Sequence, residues 1–308
     1  MANLKDIRSR IDSVKNTRKI TKAMKMVAAA KLQKAQERME ASRPYTRRMA
    51  RMIDRLSDRI EPDAHPLLEQ REDPDKTLVV IMGSDRGLCG GFNSNLFRRV
   101  DRYLDEQRIA GEDQELCIVG QKPYNHYKKM DFEIVRYFDD VIDDITFPKA
   151  KKISRYAMES FLEGDFDNVI VCYNRFISAI KTSWVIARLL PVSMLSEMAE
   201  DEAEEEFADV SIVEDDEEVD AAGEYAYEPD VETVLDRLLP SFIDAQIMQA
   251  LMESEASEQA QRMTAMDNAT NNANDMIEDL TLEYNRARQA QITTEIVEIV
   301  SGAEALEG

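Results

Sequence analysis

The stretch MTAMDNATNNANDMIEDLTLEYNRA, residues 263–287, decides the fold. Within it Met263, Met266, Thr270, Ala273, Ile277, Leu280, Tyr284 and Ala287 recur at alternating steps of three and four residues. That spacing lays one stripe of apolar or small side chains along a helix and predicts a coiled-coil seam, which needs a second helix to cover it. From Ser241 to Ser301 there is neither Gly nor Pro, with Pro240 just before and Gly302 just after, so the helix is expected to fill that span. At ~1.5 Å per residue it would reach on the order of 90 Å.

The N-terminal residues supply the partner. No Gly or Pro occurs from Met1 to Arg43, and Pro44 alone interrupts before Glu61, so residues 3–59 read as one long helix with a kink allowed at Pro44. Leu4, Ile7, Ile11 and Val14 begin the same three-four alternation. Continued strictly, that register lands on Arg18 and Lys25, so the stripe is expected to drift to Ile20, Met24, Val27 and Ala28 in an irregular supercoil.

Helices about 180 residues apart can pair only if the middle folds and returns the chain, which predicts antiparallel termini. Charge agrees. Residues 1–60 carry 17 Lys and Arg against 6 Asp and Glu, while residues 241–308 carry 3 against 13. Exposed ion pairs contribute about 0–1 kcal/mol each, so charge selects the partner while the seam supplies the stability.

The middle alternates strand-like and helix-like segments at Thr77–Met82, Asn93–Gln107, Glu115–Val119, Pro123–Met130, Phe132–Tyr137, Lys149–Glu163, Asn168–Tyr173 and Thr182–Leu190. Such alternation predicts a parallel, doubly wound sheet. The expected class is therefore α/β: a long antiparallel coiled coil of the N- and C-terminal helices plus a Rossmann-like doubly wound domain. Its boundaries are read as a shaft helix over 1–60, a globular domain over 75–196, an acidic insertion over 197–223, a return segment over 224–240 and a second shaft helix over 241–308. Residues 197–230 hold 17 acids and no Lys or Arg, a composition that cannot pack a core and reads as solvated disorder over 197–223.

Net charge of −22 and pI near 4.6 argue against a nucleic-acid binder, which needs a basic surface to displace counterions from phosphates. Cys89, Cys117 and Cys172 lack metal-ligand spacing and read as reduced, buried thiols. The opening MANLKDIRSRIDS lacks the apolar core of a secretory signal, so export is not expected, and no run is apolar enough to span a bilayer. His65 and His126 are expected at the surface, leaving no evident acid-base pair. The run GSDRGLCGGFNSN, Gly83–Asn95, leaves a strand and opens a helix as phosphate-cradling loops do, yet its glycines match neither GxGxxG nor the P-loop. A tight strand-helix turn with glycines at positive φ is the reading taken, with nucleotide binding as its rival.

Four blocks resemble one family: KNTRKITKAMKMVAAAKLQKAQ at Lys15–Gln36, SDRGLCGGFNSN at Ser84–Asn95, ASEQAQRMTAMDNATNNA at Ala256–Ala273, and YNRARQAQITTEIVEIVSGAEAL at Tyr284–Leu306. In order and content they are similar to the gamma subunit of F-type ATP synthases. The resemblance implies a non-catalytic rotor without cofactor or metal, one copy per complex. Its paired helices would enter a ring of alpha and beta subunits, and its globular part would sit with epsilon on the c-ring. It would then lie at the cytoplasmic face of the cell inner membrane, peripheral to it through the c-ring. By the same resemblance Lys22, Met24 and Lys25 face the beta subunits, and Arg288, Gln289 and Thr293 contact a beta catch loop. Ile296, Ile299 and Val300 lie at a shaft tip held by an apolar collar, and Tyr225, Tyr227 and Glu228 form a foot toward epsilon and the c-ring. Two features depart from the family pattern: the acidic stretch at Glu197–Gly223, which lacks the cysteine pair of chloroplast members, and Lys181-Thr182-Ser183. An α/β enzyme with a helical dimerisation arm and a self-associating coiled-coil adaptor are the alternatives, and the charge complement of the termini counts against the adaptor.

Overall fold

The computed structural model describes residues 4–57, 65–71, 74–192 and 231–307. The acidic stretch and residues 224–230 of the expected return segment, among them Tyr225, Tyr227 and Glu228, lie outside the described residues. The elements run α1 Leu4–Ser57, β1 Lys76–Met82, α2 Phe92–Ala110, β2 Asp113–Val119, α3 Gln121–Tyr127, β3 Glu133–Phe138, α4 Phe147–Leu162, β4 Asn168–Phe176, β5 Thr182–Leu190 and α5 Val231–Glu307. They fall into two compact units, one of Met1–Ala29 with Arg262–Gly308 and one of Ala30–Gln261.

In the first unit α1 and α5 pair antiparallel, since rising positions 18, 21 and 25 meet falling positions 274, 270 and 267. On α5 the expected seam is the one observed: Met266 and Ala273 are buried, and Met263, Thr270, Ile277, Leu280, Tyr284 and Ala287 are half-buried. On α1 the expected drift does not occur. Ile7, Ile11, Thr21 and Ala28 are buried and Leu4, Val14, Arg18 and Lys25 half-buried, all on the strict three-four spacing, while Ile20 and Val27 are 60% and 59% exposed. The polar residues stay in the seam because each finds a partner across it. Arg18 Nη1 donates to Asn274 Oδ1 at 3.1 Å, the Thr21 and Thr270 hydroxyls share a hydrogen bond at 2.8 Å, and Lys25 Nζ donates to Asp267 Oδ1 at 2.6 Å.

In the second unit the sheet order is β3-β2-β1-β4-β5. The first four strands are parallel, as alternation predicts, but β5 runs antiparallel to β4. The reason is the connection. Residues 177–181 are too few for a crossover, which takes a dozen or more, and Ser178 N and Ile177 N both donate to Lys181 O to close a hairpin. Strand β1 is buried on both faces, which explains its unbroken apolar run. Val79 and Ile81 pack with Leu96, Val100 and Leu104 of α2; Leu78, Val80 and Met82 share a core with α4, Leu239, Ile243 and Ile247 of α5, and Ile53 and Leu56 of α1.

Two boundaries differ from expectation. Helix α5 already runs from Val231, so residues 231–240 of the expected return segment are helical, and it passes through both Pro240 and Gly302. Burial of Leu239 and Ile243 on either side outweighs the proline penalty, and a lone Gly costs a helix only about 1 kcal/mol. His65 is buried rather than at the surface. Its Nδ1 accepts from Leu67 N at 3.0 Å and its Nε2 lies 3.3 Å from Asp236 Oδ1, because the turn carrying it drives Leu67 and Leu68 into the core.

The loops at the carboxyl ends of β1 and β2 cross at close quarters. Gly120 has φ +98°, and a Cβ there would stand 2.1 Å from Gly83 O. Gly120→Ala is therefore expected to cost at least about 2 kcal/mol, combining left-handed strain with a backbone clash. Urea unfolding of the variant beside wild type checks this, and an unchanged midpoint refutes it.

Candidate functional site

The strict seam of α1 decides what its outer surface shows. Lys15, Lys19, Lys22 and Met26 follow a four-three-four spacing and are all exposed, forming a basic flank in the first unit. Ile20, half-buried Met24 and exposed Val27 form a second, apolar flank at steps of four and three. Of the residues singled out by sequence, Lys22 thus stands free of the seam, Met24 borders it, and Lys25 is drawn into it by Asp267. The apolar flank contains residues that sequence reasoning had assigned to the seam. The signal that would have placed them was the unbroken spacing itself.

Helix α5 carries the other half of the site. Arg288 and Gln289 are exposed and directly follow Ala287, the last half-buried seam residue, and from there to Gly302 every residue is exposed. Continuing the antiparallel register brings Leu4 level with Arg288, so among the described residues no helix lies beside α5 beyond that point. Thr293 turns its hydroxyl back to donate to Gln289 O at 2.9 Å. Ile296, Ile299 and Val300 are joined by Ile292 and Val297 in an exposed apolar group, with Ile299 71% accessible. The structure does not bring Lys22 and Met24 together with Arg288 and Gln289; seam positions 7, 11, 14, 18 and 21 intervene.

The glycine-rich turn is filled by its own side chains. Asn93 Oδ1 accepts from Ser84 N at 3.1 Å, Asn93 Nδ2 donates to Ser84 Oγ at 2.7 Å, and Ser84 Oγ donates to Arg86 O at 2.7 Å. Gly90 takes φ +57° as a turn glycine should, but so does Leu88 at +62°, which leaves that side chain exposed. Asp85 in this turn accepts from Gln121 N at 3.0 Å. Burial raises its carboxyl above the ordinary aspartate value, the Gln121 amide opposes, and nearby Asp143 adds to the rise. His126, expected at the surface, is half-buried, stacked on Phe97 at 4.5 Å and 3.1 Å from Asp101 Oδ2. Cys89, Cys117 and Cys172 are buried thiols outside any disulfide, and burial pushes the Cys117 thiol up to about 12. Among the described residues no three His, Cys, Asp or Glu side chains are placed to hold a metal, and no helix is long and apolar enough to cross a membrane.

Comparison with known proteins agrees along the whole length. Residues 3–306 match the family described as ATP synthase. The ATP synthase gamma chain of Salinibacter ruber is 42% identical over 311 residues, covering 100% of this chain and 99% of that one. The ATP synthase gamma chain of Geobacter metallireducens is 42% identical over 308 residues, with 100% of both chains covered. Among solved structures, a chain of the Tetrahymena thermophila mitochondrial ATP synthase central stalk and c-ring matches with TM-score 0.58 and 26% identity, covering 81% of this chain and 99% of that chain. A chain of the Euglena gracilis mitochondrial ATP synthase shares the fold at TM-score 0.64 and 20% identity, covering 98% and 94%.

The raised Asp85 carboxyl sets a pH dependence. The folded state holds its proton more tightly than the unfolded state, so Asp85 detracts from stability above its folded value, and that loss is relieved as pH falls through it. Asp85→Asn keeps the acceptor for Gln121 and removes the titration. Melting temperatures of wild type and variant, taken from pH 4 to 7, are expected to converge at the acid end, with the variant higher near neutrality; parallel curves would refute this.

Proposed function

The chain belongs to the ATP synthase gamma chain family, the central-stalk rotor subunits of F-type ATP synthases, and from that premise we propose how its surfaces are used. Its role is to transmit c-ring rotation to catalytic sites on the beta subunits during ATP synthesis or hydrolysis, without catalysing either. An asymmetric shaft touches chemically identical sites differently, so each is biased toward a different conformation, and turning the shaft exchanges their affinities. One observation supports this reading above others: α5 continues alone past Ala287 with an apolar end that nothing in the described chain covers. A lone helix of that length is marginal in water, so a partner must clothe it.

In this reading Ile296, Ile299 and Val300 turn inside an apolar collar of the alpha and beta ring. Arg288, Gln289 and Thr293 meet a beta loop just below it. Lys22 and Met24, with Lys25 beside them, face beta subunits lower on the shaft. Tyr225, Tyr227 and Glu228 would meet epsilon and the c-ring, which holds the chain peripherally at the cytoplasmic face of the inner membrane, one copy per complex. The chain divides accordingly: 1–60 and 241–308 as shaft, 75–196 as the globular base, 197–223 as an insertion and 224–230 as the foot, with 231–240 the first turns of α5.

The purified chain is expected to hydrolyse no ATP above background, and robust hydrolysis by it would overturn the reading. Arg288→Ala with Gln289→Ala removes charge-assisted contacts worth about 1.5–3 kcal/mol each while favouring the helix. Membrane vesicles carrying that variant should retain an assembled complex with reduced ATP synthesis and reduced ATP-driven ion pumping. Wild-type rates would make the contact dispensable, and a missing complex would reassign the pair to assembly.

A further inference from the structure

Building on the rotor reading, we propose that Lys25 and Asp267, supported by Arg18–Asn274 and Thr21–Thr270, are positioning residues that fix the sliding register of α1 against α5 in the first unit. The three pairs occupy consecutive seam layers at 2.6, 3.1 and 2.8 Å. The layers around them offer little else to hold a register. Ala28 and Ala273 are small, and Thr270 Oγ1 also donates to its own helix at Met266 O, 2.7 Å away. Small side chains let the helices approach closely but present no knobs that resist displacement by a heptad.

Polar residues in a seam specify one register because the others leave them unmatched. A slip of seven residues in one direction sets Lys25 against Ala260 and Thr21 against Met263, although Arg18 would then meet Asp267. In the other direction Thr21 meets Ile277, Arg18 meets Thr281 and Lys25 meets Asn274, so Asp267 loses its cation. The observed register alone satisfies all three layers. A one-heptad slip is about 10 Å of travel, enough to move the Ile20 and Val27 flank of α1 by two turns relative to Arg288 and Gln289 on α5. The ion pair is about 40% accessible on both sides, so it adds little to stability and acts through specificity.

The test uses the assembled, membrane-bound complex and the ratio of ions pumped to ATP hydrolysed, compared at equal amounts of complex. K25E and D267K each place like charges across the seam and are expected to lower that ratio at least about threefold. The double variant K25E/D267K restores opposite charges and is expected to return the ratio to near wild type. A wild-type ratio in both single variants overturns the proposal. So does loss confined to K25E with no rescue, which would mean that Lys25 acts on a partner subunit. If single variants fail to assemble, the double variant still decides: assembly and pumping regained by the swap support the proposal, and their continued absence overturns it. Failure of the rotor reading is separable, because it would show as a wild-type complex that lacks this chain.

Discussion

A spacing of 3.5 residues per turn, kept without a break from Leu4 to Leu56, constrains the rest of α1. Positions 32, 35, 39, 46, 49, 53 and 56 in the second unit are buried on the same alternation that runs through 7, 11, 21 and 28 in the first. A straight helix drifts about 20° per heptad from such a pattern, so the helix must supercoil left-handed to keep its stripe facing inward. Residues that fall in the stripe must then be apolar or be matched, since an unpaired buried polar group costs roughly 1–3 kcal/mol. That condition makes partners of Asn274, Thr270 and Asp267, and it leaves Ile20 and Val27 outside.

Helix α5 answers a different constraint inside the second unit. The segment LMESEASEQA, residues 251–260, is buried almost all round despite its polarity. Its small residues allow close approach: Ser254 and Ser257 are fully buried, and Ser257 Oγ donates to Asn174 O at 3.1 Å. The acids are held there at a cost. Desolvation raises the Glu253 carboxyl while Gln249 at 3.0 Å and Arg175 at 3.9 Å pull it back, and Glu255 is raised likewise with Arg38 opposing. Folding tolerates this because the flanking turns, with Ile243, Ile247 and Leu251, bury apolar surface against the sheet.

Much of this was legible in the sequence where one physical signal dominated. The α5 seam was readable residue by residue because eight positions obeyed one period, and the first four strands because their apolar runs alternated with helical spacing. Reading failed where a side chain's chemistry was weighed in isolation. Arg18 and Lys25 looked too polar for a seam because their partners lie some 240 to 260 residues away, beyond any local window. His65 looked like a surface residue because Asp236, its neighbour in space, is about 170 residues away in sequence. The antiparallel β5 was readable in principle from a five-residue connection, a length that no crossover fits.

The end of α5, which no described residue covers, limits the shape that the proposed partner would need. At about 100° per residue, Ile292, Ile296, Val297, Ile299 and Val300 spread over an arc of about 160°, with Thr293 and Gln289 inside it. A two-helix seam uses a narrower stripe of alternating positions, like the one that ends at Ala287. Glu295 and Glu298 lie on the remaining side with Gln291, which donates to Glu295 Oε1 at 2.9 Å, so that side carries its own polar ladder and asks for no cover. An arc so wide and so evenly aliphatic offers no single groove-filling anchor and few directional hydrogen bonds. It suits a smooth apolar sleeve, in which contact can be kept while the angle changes, better than a docking groove that would hold one angle.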